Sequence, residues 1–258
     1  MHRESLTLDR LCIVVNDLDA AAENYGNLGF TLTAEGRHMV GSRNRCIMLR
    51  DGQYIELLDP RTSEHNPVSD RYQDHLSRYG EGLAVMALGC QDAASLAESW
   101  RDAGLSPSPL RHFSRAVPLP TGVTEARFQI VQLPSLILPG MPALTVIACQ
   151  QMTPELVWLP GSTQHTNGVS SISAIEFQSQ EPGLDSEILC KLAAADAIPT
   201  PPGTSTEAKD IQLGGVRISF TKRDGKKDEG KPLTRIAMRA GQSPPHGTIR
   251  HGIELAFS

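Results

Sequence analysis

The chain has 258 residues, enough for one large domain or two ordinary ones, and its 40% apolar and 21% charged residues exclude a disordered or fibrous protein. A formal net charge of −5 excludes a broadly basic nucleic-acid surface, because phosphate binding needs clustered Lys and Arg. No apolar stretch reaches the roughly 18 residues needed to cross a bilayer. The start, Met1-His2-Arg3-Glu4-Ser5, carries no signal-peptide core, so a cytoplasmic location is expected.

In chain order, Leu8 to Val15 is a short β-branched strand running into Asn16-Asp17-Leu18-Asp19, a helix N-cap signal. A helix from Ala20 to Leu28 ends at Gly29, where positive φ costs least. Strands follow at Phe30 to Ala34, Arg45 to Leu49 and Gln53 to Leu58, the last two joined by Asp51-Gly52, a strong hairpin signal. The order then recurs: strand Gly82 to Leu88, a helix from Asp92 to Ala103 ended by Gly104, and strands at Arg111 to Arg115, Ala126 to Leu133 and Ala143 to Cys149. A third copy runs from Ser171 to Phe177, through a helix at Leu184 to Ala195, to Asp210–Leu213 and Val216–Thr221 around Gly214-Gly215. Arg235 to Arg239 and Gly252 to Phe257 each offer a last strand. Linkers are expected at Asp59 to Tyr79 and Pro160 to Gly168, and exposed loops at Pro199 to Lys209 and Lys222 to Pro232. The basic run Lys222 to Lys227 reads as a solvated turn.

These units define an α+β chain of repeated βαβββ modules, whose mixed, curved sheets surround a cup with helices on the outer face. One such sheet has one apolar face and cannot bury it alone, which is why duplication persists. The division expected is residues 1–160 for two modules and residues 161–258 for a third module with the C-terminal strands. Three modules are too many for one closed cup. The third must pair with the C-terminal strands, with a second subunit or with nothing, and a smaller second lobe with possible homodimerisation is favoured.

Four stretches resemble the vicinal-oxygen-chelate superfamily, in its glyoxalase-like branch. They are Leu8 to Leu11 with Val15 to Ala21, then Gly36 to Arg45 followed by Gly52 to Leu57, then Cys149 to Trp158, and last His165-Thr166-Asn167-Gly168. The resemblance implies a cup in which metal-dependent members hold a divalent ion with His and carboxylate side chains, so that the ion binds neighbouring substrate oxygens. Where those relatives place a first-strand His, this chain has Arg10, which has no lone pair to give. The fourth-strand carboxylate is present as Glu56. A second His position holds Gln151, and Ala84 and Val85 offer no ligand atoms. With Glu56 and Gln151 as the only donors, a divalent metal is disfavoured and no cofactor is expected, since a catalytic zinc-type site uses about three protein ligands.

A carboxylate inside a cup needs a partner. Arg10 can be that partner, leaving spare donors for a ligand carboxylate, phosphate or enolate-like oxygen. Alternatively Arg10 and Glu56 simply pair, or Arg10 points to solvent. His38, Ser42 and Asn44 form a second cluster flanked by Gly36 and Gly41; His38 suits acid–base chemistry, whereas Asn44 fits an Asx-type turn. The expected site is therefore Glu56, His38 and Arg10 for catalysis, with Arg10, Asn44, Ser42, Tyr54 and Gln151 for ligand binding. His65, His75 and His112 read as surface residues, His165 as part of a linker motif, and His251 with Glu254 as strand residues on opposite faces.

No nucleophile elbow, P-loop, dinucleotide fingerprint or HExxH helix is present. Cys12, Cys46, Cys90, Cys149 and Cys190 are scattered singly as buried thiols, and Pro134 to Pro142 reads as a lid or a subunit contact. The function expected is a glyoxalase-like small-molecule enzyme, a lyase, isomerase or relative, with a degenerate, metal-free site. The alternative is a non-catalytic small-molecule binding or resistance protein. The partner is a small organic ligand, with neither nucleic acid nor membrane.

Overall fold

The β-branched opening run folds as β1 (Thr7–Val14), and Asp17 caps α1 (Leu18–Asn27) by accepting from the Asp19 and Ala20 amides. Gly29 follows at φ +85, as its C-terminal position requires. This computed structural model describes residues 6–38, 41–62, 67–119, 122–193, 197–198, 209–223, 233–241 and 248–257. The expected strand at Phe30 to Ala34 is instead an extended segment, because the Cys46 amide donates to the Thr33 side-chain Oγ1 rather than to backbone. The short strand β2 (Gly36–Arg37) lies beyond it, followed by the hairpin of β3 (Arg43–Met48) and β4 (Tyr54–Asp59).

The expected linker at Asp59 to Tyr79 contains a helix, α2 (Pro67–Tyr79). Its Tyr72 and Leu76, one turn apart, pack on Cys12, Val14, Leu58, Ala84, Val85 and Ala87, and that apolar support outweighs its polar composition. His75 is correspondingly 6% exposed rather than a surface residue, with Nδ1 3.0 Å from the Ala143 carbonyl oxygen. The second unit follows as β5 (Gly82–Gly89), α3 (Ala93–Asp102) capped by Asp92, β6 (Arg111–Leu119), β7 (Gly122–Gln132) and β8 (Thr145–Gln151). These eight strands form one sheet in the order β2-β3-β4-β1-β5-β8-β7-β6, and its edges β2 and β6 approach each other.

The second sheet holds β9 (Val169–Ser179), then, after α4 (Pro182–Ala193), β10 (Ala197–Ile198), β11 (Asp210–Leu213), β12 (Val216–Lys222), β13 (Leu233–Ala240), β14 (Thr248–Arg250) and β15 (Ile253–Phe257). Its ladder repeats the first: β9 takes β12 in parallel and β13 antiparallel, and β13 takes β15 in parallel, as β1 does with β4 and β5, and β5 with β8. The third module thus pairs with the C-terminal strands of its own chain, and those strands form a reduced fourth unit.

One core joins the two sheets. Leu11 and Ile13 of the first and Ile175, Phe177, Ile236 and Leu255 of the second belong to it, and the Trp100 Nε1 of α3 donates to the Leu192 carbonyl of α4. Residues Pro134 to Pro142 do not form a lid: Leu138 and Met141 are buried in this core, while the Gly140 carbonyl accepts from the Gln180 amide and the Gly140 amide donates to Asp185 Oδ1. A Cβ at Gly140 would overlap the Glu181 backbone and the Asp185 side chain. His165 fastens the connector, with Nδ1 accepting from the Thr31 amide and Nε2 facing the Met48 carbonyl at 2.9 Å. Expected loop residues 199–208 and 224–232, together with His65 and His246, lie outside the described residues. No helix among those described is long and apolar enough to cross a membrane.

Candidate active site

Strand alternation gives the first sheet two faces. Leu11, Ile13, Ile55, Leu57, Met86 and Leu88 enter the shared core, so Cys12, Val14, Leu58, Val85, Ala87 and Ile147 line the opposite, concave face. In β1 the alternation breaks once: between Leu8, paired with Leu88, and Arg10, paired with Ala87, the ladder gains a residue. Such a bulge re-aims side chains. Leu8 and Leu11 both stay in the core, while Asp9 is freed to accept from Arg10 Nη1 and from Gln151 Nε2, each at 2.8 Å.

Arg10 then reaches the carboxylate of β4, its Nε 3.4 Å from Glu56 Oε2. Its guanidinium carbon lies 5.7 Å from the centre of the Tyr54 ring, which meets Trp158 edge-on. The other Glu56 oxygen, Oε1, accepts from Asn44 Nδ2 at 2.6 Å and lies 3.4 Å from His38 Nε2. The opposite ring nitrogen, His38 Nδ1, is 2.9 Å from Ser42 Oγ. Asn44 therefore does not form the expected Asx-type turn; it sits within β3 and joins His38 to Glu56. Gly36 makes room for it, since a Cβ there would overlap Asn44 Oδ1.

Apolar walls from Phe113, Phe128, Ile130, Ile147 and Tyr72 complete a cup of about 810 Å³ of empty space, solvent mouth included, and Arg115 enters from β6. Six expected residues, Arg10, His38, Ser42, Asn44, Tyr54 and Glu56, line it together. Gln151 does not line the cup and instead braces Asp9 from behind, its Oε1 buried without a hydrogen-bond partner among the described residues. Asp9, Arg115 and Tyr72 were not expected from the sequence. Arg115 was legible, because it alternates with Phe113 on one strand face; the bulge that turns Asp9 toward Arg10 and Gln151 had no sequence signal. His251 lies in a turn at φ +46 rather than on a strand, its Nδ1 2.9 Å from Glu81 Oε2.

Burial alone would raise the Glu56 carboxyl, but His38, Arg10, the Asn44 hydrogen bond and Arg115 hold it below the ordinary carboxylate value. Burial lowers the His38 imidazole below its ordinary value, assisted by Arg10 and Arg115 and resisted by Glu56, so the ring is neutral near pH 7. The Asp9 carboxyl is lifted by burial against the pull of Arg10 and Gln151. Burial and then Glu56 push Cys46 to about 12, and burial and then Asp9 push Cys149 to about 12, so neither is a thiolate at neutral pH.

Residues 8–192 match the family model described as a glyoxalase-like domain. The chain belongs to that family. A solved structure of a hypothetical protein from Staphylococcus aureus is similar over 98% of this chain and 99% of its own, at 14% identity and TM-score 0.73. A fusion of a xylose isomerase-like TIM barrel with 4-hydroxyphenylpyruvate dioxygenase matches 93% of this chain and 37% of its own, at 16% identity and TM-score 0.56. These likenesses place the chain in the vicinal-oxygen-chelate fold. No curated protein matches the sequence significantly.

The divalent metal held by metal-dependent glyoxalase-like proteins does not fit this cup. Arg10, a cation without a lone pair, already occupies the space beside Glu56, and Gln151 is committed to Asp9. Among the described residues no group of three His, Cys, Asp or Glu side chains is placed to hold a metal ion.

Proposed function

We propose that this chain is a glyoxalase-like small-molecule enzyme, of the lyase or isomerase kind, whose cup works without a divalent metal. The observation that supports this most is the buried charge set at its base: Arg10 between Asp9 and Glu56, with neutral His38 alongside. Arg10 and Arg115 meet a carbonyl or carboxylate oxygen of the ligand and stabilise the negative charge that grows on it as an adjacent C–H bond breaks. His38 Nε2 takes that proton, and Glu56 stabilises the imidazolium. Ser42 Oγ accepts from Nδ1–H of the neutral ring and so fixes the tautomer in which Nε2, 3.3 Å from Asn44 Nδ2, carries the lone pair. The Tyr54 ring and the apolar walls exclude water from the nascent enolate.

Proton exchange tests this directly. Small 2-oxo acids incubated with the protein in D2O should lose the NMR signal of the C–H next to the carbonyl, and His38→Asn should abolish that loss while still binding the same acid. Binding by the wild type with no exchange across the set would assign the cup to a non-catalytic binding protein.

A further inference from the structure

A second, smaller compartment adjoins the cup and shares Tyr72, Gln132 and Ile147 with its wall. Two arginines line it, and among the described residues no Asp or Glu does. β6 accounts for one: Arg111, Phe113 and Arg115 alternate on a single strand face, which places Arg115 in the cup and Arg111 in the compartment beside it. The helix α2 accounts for the other, since Arg71 precedes the Tyr72 that stands between the two spaces.

Several other arginines are matched, Arg10 with Asp9, Arg43 and Arg61 with Asp59, and Arg217 with Asp210. Arg71 and Arg111 form no ion pair with a carboxylate among the described residues, and Arg115 acts on Glu56 only through its field. Two guanidinium groups around one compartment, with no carboxylate among its described lining, repel each other unless an anion bridges them, and planar guanidinium forks favour a carboxylate or phosphate.

We infer that this compartment is an anion subsite, which makes the ligand an elongated molecule with acidic groups at both ends. One end lies at Arg10 and Arg115, an apolar middle passes Phe113 and Ile147, and a second acidic group sits between Arg71 and Arg111. Arg115 lies four residue steps along the strand from Arg111, roughly 13 Å, which sets the span between the acidic ends. The inference rests on the reading of the cup as the ligand site.

Titration calorimetry of the full chain with decanedioate and decanoate, and with hexanedioate and hexanoate as short controls, separates the two ideas. Decanedioate should bind roughly tenfold or more tightly than decanoate. Arg71→Ala and Arg111→Ala should each remove most of that advantage while leaving decanoate binding unchanged, and hexanedioate, too short to span, should show none over hexanoate. Both arginines are exposed, so the variants should keep the wild-type thermal transition. Equal binding of the two long acids, or an advantage that survives both substitutions, overturns the subsite and leaves the cup standing. Failure of all four acids to bind overturns both.

Discussion

In the first sheet Arg10 stands between Asp9 and Glu56, with side-chain exposures of 11%, 4% and 9%. On the corresponding face of the second sheet Arg235 reaches both Glu176 and Glu254, and the three are 45%, 45% and 47% exposed. The ladders are alike, and so is the charge pattern of one arginine between two carboxylates. What differs is cover: the first sheet curls until β2 meets β6, and α2 lies over its concave face. The comparison teaches that strand register can supply an ion cluster, whereas closure of the sheet turns it into a site. An exposed pair is screened and contributes little, while a buried one cannot lose a partner cheaply.

Four substitutions sharpen or break that contrast. The largest effect expected is a gain: Arg10→His removes the cation and leaves an imidazole between Asp9 and Glu56. Calorimetry should then detect zinc binding near micromolar, about 8 kcal/mol, that the wild type lacks. Next comes Arg10→Ala, which strands two buried carboxylates and should cost about 3 to 5 kcal/mol in urea denaturation at pH 7, together with ligand binding. Glu56→Gln should change the acid limb of stability. The Glu56 carboxyl is depressed below its ordinary value of 4.5, so its stabilisation is present above that pH and lost as pH falls through the lower, folded value. The gap between wild type and Glu56→Gln in denaturant titrations should therefore hold from neutrality to about 4.5 and shrink below it. The smallest effect belongs to Arg235→Ala, within about 1 kcal/mol and weaker still in high salt. Equal costs for Arg10→Ala and Arg235→Ala would dissolve the distinction between the sheets.

The elements that carry their own local signals were legible from the sequence. Asp17 and Asp92 cap helices, Gly29 and Gly104 adopt positive φ at their ends, and Asp51-Gly52 turns the β3–β4 hairpin. Period-two alternation likewise put Tyr54, Glu56 and Leu58 on one face. What could not be read depends on contacts distant in sequence. α2 is polar by composition and owes its place to the apolar floor that Tyr72 and Leu76 cover. The fourth unit escaped recognition because none of its described residues forms a helix, which broke the pattern that revealed the others. Asp9 escaped because a bulge defeats alternation; Asn44 was expected at the site, but not its link from His38 to Glu56, because Glu56 lies across a hairpin whose register decides which side chains meet.

The central claim is that Arg10 does in this cup what a divalent ion does in metal-dependent relatives. Metal content measured on the full chain, purified without chelators, tests it most directly. The account predicts far less than one zinc, nickel, iron or manganese ion per chain, with ligand binding undiminished by added chelator. One tightly held ion per chain, removed by chelator together with ligand binding, would contradict it.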